Sequence, residues 1–338
     1  MGWLVTSDVD EFFAEAGEYL EARPVENTVL LSAAESVRRG MARDPGTEAG
    51  TGTGTWTGIE AGTGIEAGTG GASGAGPAGR GPGARGADAD WAAVAGAAAP
   101  VFGWWRPDGA AGAAGAVAGA FVHTPPWPVV VGATPAVLAA DAATGLAGAG
   151  REVAGVNGPL EAAAAFGAAW RRNAGASSNV HRHMRLYRLE ELTPPDPSPA
   201  GAARTASAAD RALLVEWQDA FRAEVNDLVN SGTAGLDDRL GHGGFTLWET
   251  SGGAVSLAGT TRCIAGMVRV GPVYTPPGLR GRGYAGAVTA EASRAARDAG
   301  AREVVLFTDL DNPTSNALYQ RIGYRPVSDW IVLAFRPA

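Results

Sequence analysis

The residues best suited to chemistry lie in the last third of the chain. Arg280-Gly281-Arg282-Gly283-Tyr284-Ala285 sets two permanent cations among residues without a Cβ, at the entrance to an alanine-rich segment. Glycine lets the backbone bend tightly and bring its N–H groups against a ligand. If the alanine-rich segment is a helix, its first amides are unpaired and its positive dipole end faces the same place. The arginines add several fixed donors each. This pattern points to an anion, and to a phosphate or pyrophosphate in particular. A second cluster follows one strand later, where Asn312, Ser315 and Tyr319 fall on a segment with helical spacing. Asn312-Pro313 suits an N-cap and first helical position. Tyr319 lies one turn beyond Ser315 on the same side.

These groups need a strand, a turn, a helix, a second strand and a second helix to hold them. Met267 to Val273 reads as the first strand, broken by Tyr274-Thr275-Pro276-Pro277, whose prolines cannot donate to a ladder. Upstream, strands are predicted at 245–250, 254–261 and 263–273, after an amphipathic helix at 208–226 with Leu213, Leu214, Trp217, Phe221 and Val225 on one stripe. The earlier part predicts helices at 8–22 and 29–37, a strand pair at 101–106 and 116–124, and a helix at 134–149. A strand at 152–156, a helix at 160–171 and an alternating strand at 183–189 follow. Residues 44–90 collapse into Gly, Ala and Thr, with too few large apolar side chains to offset the entropy of ordering, and predict a mobile insertion. Pro194, Pro195, Pro197 and Pro199 form a stiff linker. The expected organisation is therefore a domain at 1–193, a linker at 194–206 and a second domain at 207–338.

Composition removes several classes of function. A formal net charge of −8 over 338 residues argues against a general nucleic-acid binder. All 27 basic side chains are arginine, so lysine Schiff-base and Walker-lysine chemistry are excluded, and the Ala/Gly/Arg bias is that of a GC-rich bacterial genome. The single cysteine, Cys263, rules out an intramolecular disulfide and predicts a buried strand thiol. His123 reads as a packed strand residue and His181 and His183 as surface residues, so no metal is expected. Apolar runs too short for a bilayer, and acidic Asp8, Asp10 and Glu11 where an export signal needs basic and apolar residues, predict a cytoplasmic protein without a membrane partner.

The two parts also resemble each other. Val122-His123-Thr124-Pro125-Pro126 matches Val273-Tyr274-Thr275-Pro276-Pro277, and Arg151-Glu152-Val153 matches Arg302-Glu303-Val304 at the same offset. A duplication is predicted, in which the first copy continues Trp127-Pro128-Val129-Val130-Val131 and lacks the arginine-glycine turn.

Arg280-Gly281-Arg282-Gly283-Tyr284-Ala285 fits the Arg/Gln-x-x-Gly-x-Gly/Ala pattern of the GCN5-related N-acetyltransferase (GNAT) superfamily. The run from Asn312 through Ala317-Leu318-Tyr319 to Gly323-Tyr324 fits its second signature. The resemblance covers roughly 207–338, and the whole chain looks like the tandem actinobacterial type with a degenerate first copy. It implies an α/β (α+β) fold: two mixed, mostly antiparallel sheets flanked by helices, each with a split between its fourth and fifth strands. It further implies transfer of an acetyl group from acetyl-CoA to a primary amine of a small molecule or peptide, by a monomer or homodimer. Val273 and Thr275 would then face the pantetheine arm. Arg280, Gly281, Arg282, Gly283, Tyr284 and Ala285 would take the pyrophosphate, with Asn312 and Ser315 nearby and Tyr319 as the acid. Some members carry a glutamate base on the fourth strand where this chain has Arg269; Glu249 and His242 are the candidate replacements. Two other readings compete. Gly281-x-Gly283-x-x-Gly286 with Asp309 also fits a dinucleotide fingerprint, but two prolines intervene between strand and glycine. A non-catalytic acyl-CoA sensor would keep the turn and lose turnover.

Overall fold

Among the described residues, ten α-helices and strands make up the first half and ten the second, in the same order. The computed structural model describes residues 2–40, 91, 99–107, 115–225 and 234–337; the predicted insertion at 44–90 lies outside them. The first half runs β1 (Gly2–Thr6), α1 (Val9–Glu21), α2 (Thr28–Arg38), β2 (Val101–Arg106), β3 (Gly119–His123) and β4 (Val129–Val131). It continues with α3 (Ala136–Gly148), β5 (Gly155–Pro159), α4 (Leu160–Ala174) and β6 (Ser177–Leu189). The second runs β7 (Ala202–Thr205), α5 (Arg211–Val225), α6 (Ala234–Gly241), β8 (Phe245–Thr250), β9 (Gly253–Thr260) and β10 (Met267–Tyr274). It ends with α7 (Tyr284–Asp298), β11 (Glu303–Asp309), α8 (Pro313–Arg321) and β12 (Tyr324–Arg336). Local signals set many ends. Asp8 caps α1 by accepting from the amides of Asp10 and Glu11, and left-handed Gly175 stops α4.

All twelve strands join one sheet, in the order β1-β2-β3-β4-β5-β12-β6-β11-β10-β9-β8-β7. The halves have exchanged their last strands. β12 pairs antiparallel with β5 of the first half, β6 pairs antiparallel with β11 of the second, and β6 and β12 pair with each other along the middle. The cores follow the exchange. Ile331, Leu333 and Phe335 of β12 pack with Phe166 and Trp170 of α4, while Tyr187 and Leu189 of β6 pack with Val288, Val304 and Tyr324. Among the described residues no helix is long and apolar enough to cross a membrane.

Several expectations shift. The strand predicted at 152–156 lies at Gly155–Pro159, and the one at 183–189 starts six residues earlier at Ser177. Cys263 is exposed, not buried. The strand expected from 263 begins only at Met267, because Ala265 and Gly266 take positive φ (52° and 77°) in a tight turn closed between Ile264 and Met267. The sequence match of the two Thr-Pro-Pro segments is not a structural equivalence. Thr124-Pro125-Pro126 follows β3, the third strand of its half, whereas Thr275-Pro276-Pro277 follows β10, the fourth. Arg151 and Arg302 do correspond, each just beyond the helix that precedes the fifth strand.

His123 is a packed residue, 1% exposed, whose Nδ1 accepts a 2.8 Å hydrogen bond from Arg151 Nε. Burial, and then the charge of Arg151, push its pKa down to about 3. The folded chain therefore refuses a proton that the unfolded chain accepts near 6.5. The sign is fixed: stability is complete above about pH 6.5 and is lost as pH falls towards 3. The loss reaches about 2 kcal/mol by pH 5. Thermal unfolding between pH 7 and 5 is expected to show this fall, and His123→Gln to flatten it.

Candidate active site

The second half opens its sheet at one place. β10 and β11 run parallel and pair from Met267 to Val270 against Glu303 to Leu306. Beyond that point Phe307, Thr308 and Asp309 keep only β6, and Val273 and Tyr274 keep only β9. The cause is local. The β9–β10 register shifts between Val270 and Val273, where Pro272 has no N–H to give. The expected strand-breakers, Pro276 and Pro277, lie past this parting. In the first half the corresponding strands stay together, since a methyl at Gly158 of β5 would lie 2.3 Å from the side chain of Val131 at the end of β4.

The arginine-glycine turn sits where β10 leads to α7. Gly281 and Gly283 have φ of 75° and 83°, a left-handed conformation that a Cβ would strain. Gly283 is the N-cap of α7, and the first intrahelical bond runs from Ala287 N to Gly283 O at 3.1 Å. The amides of Tyr284, Ala285 and Gly286 therefore have no acceptor within the helix. The two arginines differ. Arg280 Nε donates to Thr275 O at 2.8 Å, and its Nη2 donates to both oxygens of Glu224 on α5 at 2.6 and 2.7 Å. Arg280 thus braces the turn against α5. Arg282 is exposed, with one long bond to Gly278 O. Thr275 is buried and its Oγ1 lies 2.8 Å from Ser256 Oγ.

On α8, Asn312 caps the helix by accepting from Ser315 N at 3.0 Å, and Pro313 takes the first helical position. Tyr319 is 8% exposed and packs edge-on to Tyr324, with ring centroids 6.2 Å apart. The two phenols have different surroundings. Tyr324 Oη lies 2.7 Å from Ser293 Oγ, whereas the Tyr319 hydroxyl makes no hydrogen bond among the described residues. Burial pushes the Tyr319 pKa up to about 12. The opposite face of α8 lines a separate open cleft with Arg185 and Tyr187, through Pro313, Asn316 and Gln320.

The candidate bases are placed apart from this cluster. Glu249, near the end of β8, is held by Arg204 of β7, which also grips Asp210 with two 2.8 Å bonds. His242 directs Nδ1 at Asp238 O, 2.8 Å away, while its Nε2 is buried without a partner among the described residues. Burial lowers its pKa, so the imidazole is neutral at pH 7. Arg269 lies on β10 and reaches Thr28 Oγ1 of α2 at 3.4 Å. Arg239 was not legible from the sequence, because the short helix that carries it, α6, has too few turns for a periodic signal. Among the described residues no group of three or more His, Cys, Asp or Glu side chains is arranged to hold a metal.

The site thus combines a split parallel strand pair, a left-handed glycine turn at a helix N-terminus and a tyrosine on the following helix. Residues 205–324 match the model of the Acetyltransferase (GNAT) family. The second half of the chain thus carries a stretch similar to that family. Solved structures with similar folds include a Drosophila protein (15% identity, TM-score 0.51, covering 71% of this chain and 80% of that one). A GCN5-related N-acetyltransferase from Kribbella flavida matches at 21% identity and TM-score 0.47, covering 64% and 86%. A tandem GNAT protein from the clavulanic acid biosynthesis pathway matches at 14% identity and TM-score 0.43, covering 71% and 84%. No curated protein matches the sequence.

Proposed function

We propose that the second half transfers an acetyl group from acetyl-CoA to the nitrogen of an amine, by direct attack and without a covalent enzyme intermediate. The observation that carries this reading is the parting of β10 from β11 beyond Val270 and Leu306. Unpaired strand edges there can satisfy an amide-bearing arm. At one end of the gap the amides of Tyr284 to Gly286, with Arg282, receive the pyrophosphate. Val273 and Thr275 face the arm. At the reacting end the amine nitrogen attacks the thioester carbonyl and the C–S bond breaks. The departing thiolate takes the proton of Tyr319, which regains one from the new amide nitrogen through solvent. A phenol held neutral up to about pH 12 keeps its proton until that charge develops.

One active site per chain follows from the contrast between the halves. In the first half the turn before α3 is Gly132-Ala133-Thr134-Pro135, without an arginine. Its Ala133 amide already donates to Asn27 Oδ1 at 2.9 Å, and a methyl at Gly132 would lie 2.1 Å from the same oxygen. The place a phosphate would take is filled by the protein, so we assign the first half to support and to shaping of the acceptor side.

The test is thiol release from acetyl-CoA by the full chain, across small amines, amino sugars and peptides. Amine-dependent release is expected. Coenzyme binding without release on any amine would make the chain an acyl-CoA sensor instead. In the same assay Arg282→Ala is expected to weaken acetyl-CoA binding about 10-fold, through loss of one charge-assisted contact, with little change in kcat. Unchanged affinity would remove the phosphate assignment.

A further inference from the structure

Two half-buried guanidiniums stand at the opening of the strands, neither held in an ion pair among the described residues. Arg239 projects from α6, and its guanidinium lies 5.4 Å over the ring of Phe245. Arg269 projects from β10 and has a single long bond, to Thr28 Oγ1. Among the described residues neither is in an ion pair, and burial pushes both pKa values down to about 10, with the charge of Arg239 adding to the effect at Arg269. Asp238, whose charge acts on Arg239 from a distance, is paired with Arg262 at 2.8 Å. Holding two like charges together away from water is disfavoured unless a counter-charge arrives. Other arginines of this half, Arg204, Arg211, Arg262 and Arg280, each hold a carboxylate.

Their position ties the pair to the acceptor side. Val268 and Val270 pack with Ala287 and Val288 of α7, so Arg269 between them faces the other side of the sheet, where Met267 meets Val25 and Trp330. The position of a Cβ on Gly259 lies 2.9 Å from Arg239 Nη1 and 3.0 Å from Gly271 O. The Arg239 guanidinium thus sits beside the irregular stretch of β10 at which pairing with β11 ends. The glycine turn of α7 opens from one face of the sheet and the arginines stand on the other. A ligand group drawn to them approaches the gap from the side opposite the coenzyme phosphates.

We propose that the acceptor amine also carries an oxyanion, a carboxylate or a phosphate, which Arg239 and Arg269 bind where β10 parts from β11. The inference rests on the transferase reading for the amine, and on the unneutralised arginine pair for the anion. It also accounts for a cation on the fourth strand: Arg269 anchors the acceptor and takes no proton. His242, whose Nε2 has no partner among the described residues, lies near Arg239 across Gly244, where a methyl would lie 2.5 Å from that nitrogen and 2.7 Å from Arg239 Cγ.

The experiment compares matched acceptors in acetyl-CoA turnover by the full chain: amino carboxylates, aminoalkyl phosphates, and the corresponding neutral amides. One anionic class is expected to exceed its neutral partner about 100-fold in kcat/KM, since a site built for a charged group is left unpaired by the neutral analogue. Arg239→Gln and Arg269→Gln are each expected to raise KM for the anionic acceptor about 10-fold, with kcat and acetyl-CoA affinity retained. Equal turnover of neutral and anionic acceptors overturns the proposal, and so does a loss confined to acetyl-CoA affinity, which would give the arginines to the coenzyme. A second measurement needs neither turnover nor variants. Titration calorimetry of the native chain is expected to show binding of N-acetylglycine or an N-acetylaminoalkyl phosphate but not of N-acetylglycinamide. If neither anion binds better than the amide, the proposal fails even where acetyl transfer is observed; if an anion binds without transfer, only the transferase reading fails.

Discussion

Replacing Tyr319 by Phe is expected to lower kcat about 100-fold, the lower range of a positioned general acid, while acetyl-CoA affinity and thermal stability stay close to those of the parent chain. The reasons lie in the neighbouring tyrosine. Tyr319 and Tyr324 are both buried and touch each other, yet only Tyr324 spends its hydroxyl inside the protein, on Ser293. Removing the Tyr319 oxygen breaks no hydrogen bond among the described residues, so the ring still packs and the fold loses little. Tyr324→Phe is the control, and is expected to cost about 1 kcal/mol of stability with kcat nearly unchanged. The pH profile supplies a separate check. The protonated phenol is the active form and its pKa is pushed up to about 12, so kcat should show no alkaline fall from this group below about pH 11. Unchanged kcat in Tyr319→Phe would remove its role as the acid.

The sequence carried most of the second half, because its signals are local. Gly281 and Gly283 announce left-handed turns, Asn312-Pro313 a helix start, and Tyr319 its helical neighbours, and the structure places all of them as expected on one strand-turn-helix-strand-helix unit. Pro272, inside the apolar run that reads as a continuous strand, was the overlooked residue that marks the parting of β10. What was not legible is whatever depends on pairing across the chain. Nothing in the alternation of β6 or β12 says that each belongs to the other half's sheet, since period-two patterning fixes a face and not a neighbour. The short strands β1 and β7 escaped for the same reason, their stability coming from β2 and β8 and not from their own five or four residues. Arg280 shows a further limit: its type and place suggested a phosphate ligand, and the distant Glu224 on α5 claims its donors in this structure.

The strand exchange has the largest expected effect on folding. Expressed as two chains divided between Pro197 and Ala200, neither half is expected to fold alone, whereas co-expression should yield a one-to-one complex that unfolds cooperatively. The first half depends on β12 for Ile331, Leu333 and Phe335, three side chains at most 8% exposed in the core beneath α3 and α4. Burial of three such side chains contributes about 5 to 9 kcal/mol, comparable to the whole stability of an ordinary domain. The half cannot substitute its own last strand. The length of β6 equivalent to Trp330–Ala334 of β12 is Met184–Arg188, which is paired with β11, so without β12 the edge of β5 and the α4 face are left uncovered. The close packing of β5 on β12 adds specificity, because a methyl at Gly155 would lie 2.1 Å from Leu333 O. Circular dichroism and amide exchange on the separate halves check this directly. A fragment ending at residue 197 with native-like protection in β2 to β5 would show that the first half closes its own sheet, and that the exchange is not what holds the two halves together.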